Sequence, residues 1–309
     1  MTNNPLVTVT LIAMNHEKFI AQACHSILNQ TYKNIEVVFL DNNSKDKTFE
    51  IGNEILKNSG IKYIGIKNQE NKGVSANLNI QVNHATGDYI SILSGDDWYE
   101  EKNIEMRLKH LQENDWDVVF SDGYKYIQDR KKLENVYSSK RKEKVKQTID
   151  RYFKENIAGN MTSNVGFFTK TNILLENPFD EKIHAEDWDI NLRLAKKGYR
   201  FGFVDMKLFN YRILNTSLSN NFEMMKNSYF EITNKYLTEI KDSVSASKIY
   251  QMKLYEFEIH KLKSIENKTN EQRKDLISAY TKFNSLRYES PKKEYKNALV
   301  YLKKIFGKI

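Results

Sequence analysis

Two adjacent carboxylates, Asp96 and Asp97, follow the short aliphatic run Tyr89-Ile90-Ser91-Ile92-Leu93-Ser94 and a glycine. The run predicts a buried strand, so the acids stand at its carboxyl end. In an open α/β sheet ligands bind outside such ends, and two hard oxygen donors there suit Mg2+ or Mn2+ carrying phosphates. The same pair also suits a plainer role, ending the strand and capping a helix that begins near Lys102. A second acid pair, Glu186-Asp187, opens a later helical stretch. It could move a proton, or simply occupy a first turn where carboxylates offset the helix dipole. Trp188 beside it offers an apolar face on which sugar CH groups could stack. Asp41, before Asn42-Asn43, is either a ligand contact or a turn former.

The elements that must position these residues alternate. Strands are predicted over Val7–Ile12, Ile35–Leu40, Lys62–Ile66, Tyr89–Leu93 and Asp117–Ser121, separated by stretches with apolar residues at helical spacing, as in Phe19, Ile20, Ala23, Ile27 and Leu28. Such alternation implies right-handed crossovers and a mainly parallel, Rossmann-like sheet covered on both sides. Neither a Gly-x-Gly-x-x-Gly turn nor a Walker lysine loop follows the first strand, which disfavours dinucleotide dehydrogenases and P-loop enzymes. From Asp129 to Lys146 the composition turns basic and is expected to form a solvated, mobile loop. A helix through Leu192, Leu194 and Ala195 and a strand over Arg200–Val204 follow, and from Ser219 onward the pattern is helical.

Composition bounds the class. A chain of 309 residues holds one large α/β domain with a helical appendage, and its net charge of +8 implies an anionic partner: nucleic acid, an acidic membrane surface or phosphorylated substrates. No apolar run is long enough to cross a bilayer, the first residues lack the features of a secretory signal, and the single cysteine, Cys24, suits a reducing cytoplasm as a buried apolar residue.

The strand-end features and their order resemble the family 2 inverting glycosyltransferases, which have the GT-A fold. The resemblance covers about residues 5 to 215. It is carried by the Val-x-Val-x-Leu strand leading to Asn15, Ser26-Ile27-Leu28-Asn29-Gln30-Thr31-Tyr32, Glu36-Val37-Val38-Phe39-Leu40-Asp41-Asn42-Asn43-Ser44, and Asn71-Lys72-Gly73. It continues through Ala85-Thr86-Gly87-Asp88-Tyr89-Ile90, Asp96-Asp97, Glu186-Asp187 and Tyr211-Arg212. It implies a glycosyltransferase domain over 1–215, with a nucleotide-sugar half of about 1–122 and an acceptor half of about 123–215, followed by a helical region over 216–309.

The resemblance also implies roles. Asp187 is the base that takes the acceptor proton, with Glu186 supporting the acceptor site or the base; the apolar face of Trp188 beside them is expected to bind the acceptor. Asn15, Asp41, Lys72, Asp96 and Arg212 serve the donor: Asp41 accepts the base's imide hydrogen, and Arg212 closes over the diphosphate. Asp97, with Asp96, holds Mn2+ or Mg2+. Family members have a further acid where Ser94 stands, an aromatic ring where Met14 stands, and often a basic residue where Asn77 and Leu78 stand, which leaves donor phosphates to Lys72. The implied partners are a nucleotide-sugar donor, expected to be UDP-linked, and a glycan or lipid-linked glycan acceptor in bacterial surface polysaccharide, oligosaccharide or glycoprotein synthesis. Nucleic acid is not among them.

In Ala298–Ile309, Leu299, Leu302, Ile305, Phe306 and Ile309 share one helical face while lysines stay off it. This fits a helix on an anionic leaflet, and equally one packed on the domain; the C-terminal helices could also join two copies. The expected location is the cytoplasm, soluble or peripheral on the inner face of the membrane. Two rivals differ in kind. A nucleotidyltransferase needs a glycine-rich basic loop after the first strand, where this chain has no glycine, and a non-catalytic basic protein would bind polyanions and ignore UDP with Mn2+.

Overall fold

In the structure, a computed structural model describing residues 4–163, 165, 167–214 and 221–287, the aliphatic runs become strands and the helically spaced stretches become helices. β1 (Val7–Ala13), α1 (Ile20–Leu28), β2 (Ile35–Asp41), α2 (Thr48–Asn58), β3 (Lys62–Lys67), α3 (Val74–His84) and β4 (Tyr89–Ser94) alternate. β1 pairs in parallel with β2 and β4, and β2 with β3. Every residue of β2 is buried, as expected of an inner strand covered by helices on both faces. β3, at the edge, is largely exposed.

β5 (Trp98–Tyr99), α4 (Asn103–Glu113), β6 (Val118–Ile127), β7 (Lys132–Asn135), α5 (Ser139–Thr148), α6 (Tyr152–Asn156), β8 (Phe168–Lys170), α7 (Thr171–Glu176), α8 (Glu186–Lys196) and β9 (Phe201–Ile213) complete this part. The sheet runs β3-β2-β1-β4-β8-β6-β9-β5, with β7 beside β6. β6 and β9 are parallel, while β8 runs antiparallel to β4 and β6. The result is a mostly parallel sheet flanked by helices.

Two strands are longer than their apolar runs predict. β6 and β9 continue together as far as Ile127 and Ile213 through a register shift around Asp122. The shift draws Gly123 so close to Phe209 that a Cβ there would lie 2.4 Å from its ring, so glycine is required. The basic run is not the expected loop. Ser138 caps α5 by accepting the Arg141 N–H at 3.3 Å, and Val136, Tyr137 and Val145 are buried beneath it. Three apolar anchors and a cap were enough to order a segment that composition reads as solvated.

By its contacts the chain divides into two units, residues 1–153 with 160–232, and residues 154–159 with 233–309. The first holds the sheet. α9 (Phe222–Lys235) crosses the division, and the second holds α10 (Leu237–Asp242), α11 (Val244–Lys263) and α12 (Asn270–Arg287). α11 and α12 pack through Ile259, Leu276 and Ala279, with Leu262, Tyr280 and Phe283 around them. The amphipathic stretch Ala298–Ile309 lies outside the described residues. Among those described, no helix is long and apolar enough to cross a membrane.

Candidate active site

After Ser94 the chain turns hard against β1. The Gly95 N–H donates to the Ile12 carbonyl at 2.7 Å, and a Cβ on Gly95 would lie 2.7 Å from the Ala13 Cβ. Glycine is needed for this close approach, and the turn carries Asp96 and Asp97 past the carboxyl edge of the sheet. The Ser94 hydroxyl donates to Asp96 Oδ1 at 2.5 Å. Asp97 is buried, and its Oδ1 accepts the Arg212 N–H at 2.8 Å. Burial, then the charge of Asp96, holds the Asp97 carboxyl well above the usual carboxylate range.

β9 supplies Arg212, whose guanidinium donates from Nε to the Asp96 carbonyl at 2.7 Å, from Nη2 to Gln22 Oε1 at 2.6 Å, and from Nη1 to Gln128 Oε1. The rings of Phe19, Trp98 and Tyr126 lie 4.5, 4.7 and 5.3 Å away. A planar fork held by three acceptors and three rings is fixed in place. The cation expected to close over a diphosphate is therefore only 4% exposed, and it stands behind the acids as their counter-charge. Gln22 and Gln128, which complete this cage, give no signal in the sequence.

The donor set fits a hard divalent cation. Two neighbouring carboxylates, one buried and raised in proton affinity by the other, are relieved by bound positive charge, and Mg2+ in phosphate sites needs only one or two protein carboxylates. Ser94 contributes a hydroxyl where a third acid would stand, and no group of three His, Cys, Asp or Glu at metal-binding spacing occurs among the described residues.

At the end of β2, Asp41 is fully buried. Its Oδ1 accepts the Ser44 N–H at 2.9 Å and its Oδ2 the Ser44 hydroxyl at 2.5 Å, the pattern of a turn former. That hydroxyl in turn accepts the Asn15 N–H at 2.8 Å, and Asn15 Oδ1 accepts the Lys45 N–H at 2.9 Å. Asn15 thus holds two loops together from a left-handed backbone with φ of 57°. Asn42 Oδ1 accepts the Lys72 N–H at 3.0 Å, which leaves the Lys72 side chain at the surface. The Met14 sulfur lies 3.9 and 3.6 Å from the amides of Asn42 and Asn71. His16, beneath this rim, has its pKa lowered by burial, against the pull of Asp96, Asp46 and Asp41. Its Nδ1 is buried without a hydrogen-bond partner.

The second acid pair reaches the same edge by another route. Ser75, in the first turn of α3, donates to the Ile183 carbonyl at 3.2 Å, which fixes the segment leading into α8 beside the loop that ends at Gly73. Glu186 and Asp187 start α8. Both keep some exposure, yet protein encloses them on most sides, and burial followed by the charge of Asp187 lifts Glu186 above the ordinary carboxylate range. Asp187 is raised too, chiefly by burial. Its Oδ1 accepts the Trp188 N–H at 2.6 Å, and its Oδ2 lies 3.4 Å from Asn160 Nδ2. Asn160 is held by accepting from the Thr162 N–H at 3.1 Å and hydroxyl at 2.9 Å. It sits in irregular chain, where periodicity could not reveal it.

Trp188 does not present the stacking surface expected of it. It is 5% exposed and packs on Tyr229 with ring centroids 5.7 Å apart. α8 is buried all round from Trp188 to Leu192, so no side of this turn is left for an exposed ring.

Comparison with known proteins agrees with this architecture. The model of Glycosyl transferase family 2 matches residues 8–181, over half of the 309. The uncharacterized glycosyltransferase MJ1057 of Methanocaldococcus jannaschii is 33% identical over 217 residues, 69% of this chain and 72% of that one. The chain therefore belongs to glycosyl transferase family 2. Two other curated relatives are longer, and the chain spans 44% and 31% of them. Among solved structures, S. aureus TarS 1–349 in complex with UDP-GlcNAc aligns with a TM-score of 0.59 at 17% identity, covering 91% of this chain and 81% of that one. The mannosyltransferase PcManGT from Pyrobaculum calidifontis, in complex with GDP-Man and Mn2+, aligns at 0.58 and 15% identity, covering 100% of this chain and 77% of that one. At such identities the structures establish the shared fold.

Proposed function

We propose that the chain moves a sugar from a nucleotide donor, UDP-linked, to a hydroxyl of a glycan with inversion at the anomeric carbon. What supports this reading is that one acid pair follows β4, while the other opens α8, the helix that leads into β9, whose Arg212 holds the first pair.

The donor enters at the ends of β1 and β2, where Met14, Asn15, Asn71 and Lys72 are exposed. Asp41 uses two of its roughly four lone-pair sites on Ser44. We assign the remainder to the imide hydrogen of the base, and Lys72 to the phosphates. Asp97 with Asp96 would hold Mn2+ or Mg2+, which would supply positive charge against the diphosphate. Arg212 is a positioning residue that keeps both acids in register.

Asp187 takes the proton of the acceptor hydroxyl as its oxygen forms the bond to the anomeric carbon. The bond from that carbon to the diphosphate oxygen breaks on the opposite face, and its electron pair leaves with the nucleotide. A raised proton affinity makes Asp187 a stronger base than an ordinary carboxylate. Asn160 and the Trp188 N–H orient it.

The test is thermal unfolding with UDP and Mn2+, alone and together, followed by hydrolysis assays with sugar nucleotides. A ligand at a hundred times its Kd stabilises by about 2.7 kcal/mol. UDP with Mn2+ together is expected to raise the Tm, and Asp97→Asn to remove the metal-dependent part. No stabilisation by any nucleotide with Mn2+ would overturn the assignment.

A further inference from the structure

We infer that the acceptor is an anionic glycan, bearing phosphate or carboxylate groups along its length, and that the basic insert between β6 and α6 receives it. This rests on the transferase assignment above and names its second substrate by chemistry.

Residues 129–148 contain eight Lys or Arg against three acids, a net +5 of the chain's +8. The insert is built, not loose. Arg141 donates from Nε to the Met161 carbonyl at 3.0 Å and from Nη2 to the Asn160 carbonyl at 3.4 Å, and the Tyr137 hydroxyl accepts the Ser163 N–H at 2.6 Å. Asn160 is the residue whose amide faces Asp187. One end of the insert is thus tied to the strip that orients the base.

The other end is tied to the first acid pair. In the hairpin of β6 and β7, Tyr126 pairs with Leu133 and also packs on Trp98 and Arg212, while Gln128 accepts from Arg212. The insert is therefore tied at its two ends to residues that touch the two acid pairs.

Some of the charge has internal partners. Lys142 and Lys146 pair with Asp205 at 2.8 and 2.9 Å, and Lys132 with Glu134 at 2.7 Å. Arg130, Lys131 and Lys140 are exposed and form no ion pair among the described residues. Lys131 sits at the hairpin tip in a left-handed conformation with φ of 47°. These three cations are the ones offered outward.

A membrane fits this surface less well than a glycan. An interfacial helix needs an apolar face, whereas the one buried residue of α5, Val145, points into the protein, and Leu133 is the insert's one large apolar residue exposed among those described. Nucleic acid fits less well too, since the insert's one aromatic residue, Tyr137, is buried and cannot stack on bases.

The experiment is a fluorescence-anisotropy titration of the full chain with labelled oligogalacturonate, short inorganic polyphosphate and a neutral malto-oligosaccharide, at two salt concentrations. An anionic oligomer is expected to bind and the neutral one not, and the tighter anionic arm identifies the group recognised. Exchanging Arg130→Gln, Lys131→Gln and Lys140→Gln together should weaken anionic binding by about tenfold or more and reduce its salt dependence. Lys33→Gln, Lys57→Gln and Lys109→Gln together, outside the insert, should not. Equal losses in the two triple variants, or equal binding of the neutral oligomer, overturn the proposal, as does tighter insert-dependent binding to phosphatidylglycerol vesicles. Donor hydrolysis by the parent chain is assayed alongside. Its absence with insert-dependent binding intact places the failure in the transferase assignment, and its presence with insert-independent binding places it here.

Discussion

Asp96-Asp97 and Glu186-Asp187 are both enclosed carboxylate pairs at one edge of one sheet, and they differ in what stands behind them. Behind the first is Arg212, fixed by Gln22, Gln128 and three rings. No Lys or Arg pairs with the second among the described residues, and its polar neighbours are neutral, Asn160 and a backbone N–H. Burial raises a carboxyl in both pairs, Asp97 in the first and both members of the second, but only at Asp97 do a fixed cation and its N–H pull the other way. A cation-backed pair suits holding a metal, and a pair with neutral neighbours suits accepting a proton.

The sharpest way to break this comparison is to exchange one pair member for its amide. Asp187→Asn keeps the shape and the Trp188 N–H contact but cannot take a proton, so turnover is expected to fall about 10²- to 10⁴-fold with donor binding unchanged. Single-turnover assays and a UDP titration check this. Unchanged turnover would remove Asp187 from the mechanism and leave helix capping as its role.

Arg212→Lys tests the other side, with a smaller effect. Lysine keeps the charge but loses the fork that reaches Gln22, Gln128 and the Asp96 carbonyl together, and it stacks less well between rings. We expect a loss of about 1–3 kcal/mol in stability, in the range for breaking a buried polar network, and weaker Mn2+-dependent stabilisation by UDP. A full retention of both would mean that the cage is not what keeps Asp96 and Asp97 in place.

Much of this was legible in the sequence, and for one reason. Strand ends next to Gly95 and the polar turn after Leu40 are written in local residue types, so the placement of Asp41, Asp96 and Asp97 at strand ends follows from short runs of chain. What was hidden depends on contacts between distant residues. Gln22, Gln128 and Arg212 meet only because β6, β9 and α1 converge. Trp188 adjoins acids and reads as available, whereas Tyr229, forty-one positions along the chain, packs on it. The basic run looked mobile because its order depends on few apolar anchors, Val136, Tyr137 and Val145, amid many charges.

The smallest expected effect separates the two members of the second pair. Glu186 is raised by burial and then by the charge of Asp187, whereas Asp187 is raised chiefly by burial. Asp187 therefore ionises beside a protonated Glu186, and Glu186→Gln, which keeps a neutral neighbour there, should leave the acidic limb of the rate profile where the parent has it. A limb displaced to lower pH would mean that Glu186 is charged when Asp187 ionises. Stability gives an independent sign. A carboxyl raised in the fold contributes stability that is present below its unfolded pKa of about 4.3 and is lost as pH rises through the folded value. Removing Glu186 removes that loss, so the Tm of Glu186→Gln relative to the parent should climb as pH rises past the ordinary carboxylate range. A metal-holding pair would behave differently, since bound cation would mask the repulsion and the Tm difference would vanish on adding Mn2+. If Mn2+ does abolish the difference for Glu186→Gln, the two pairs do not divide the chemistry as their neighbours suggest.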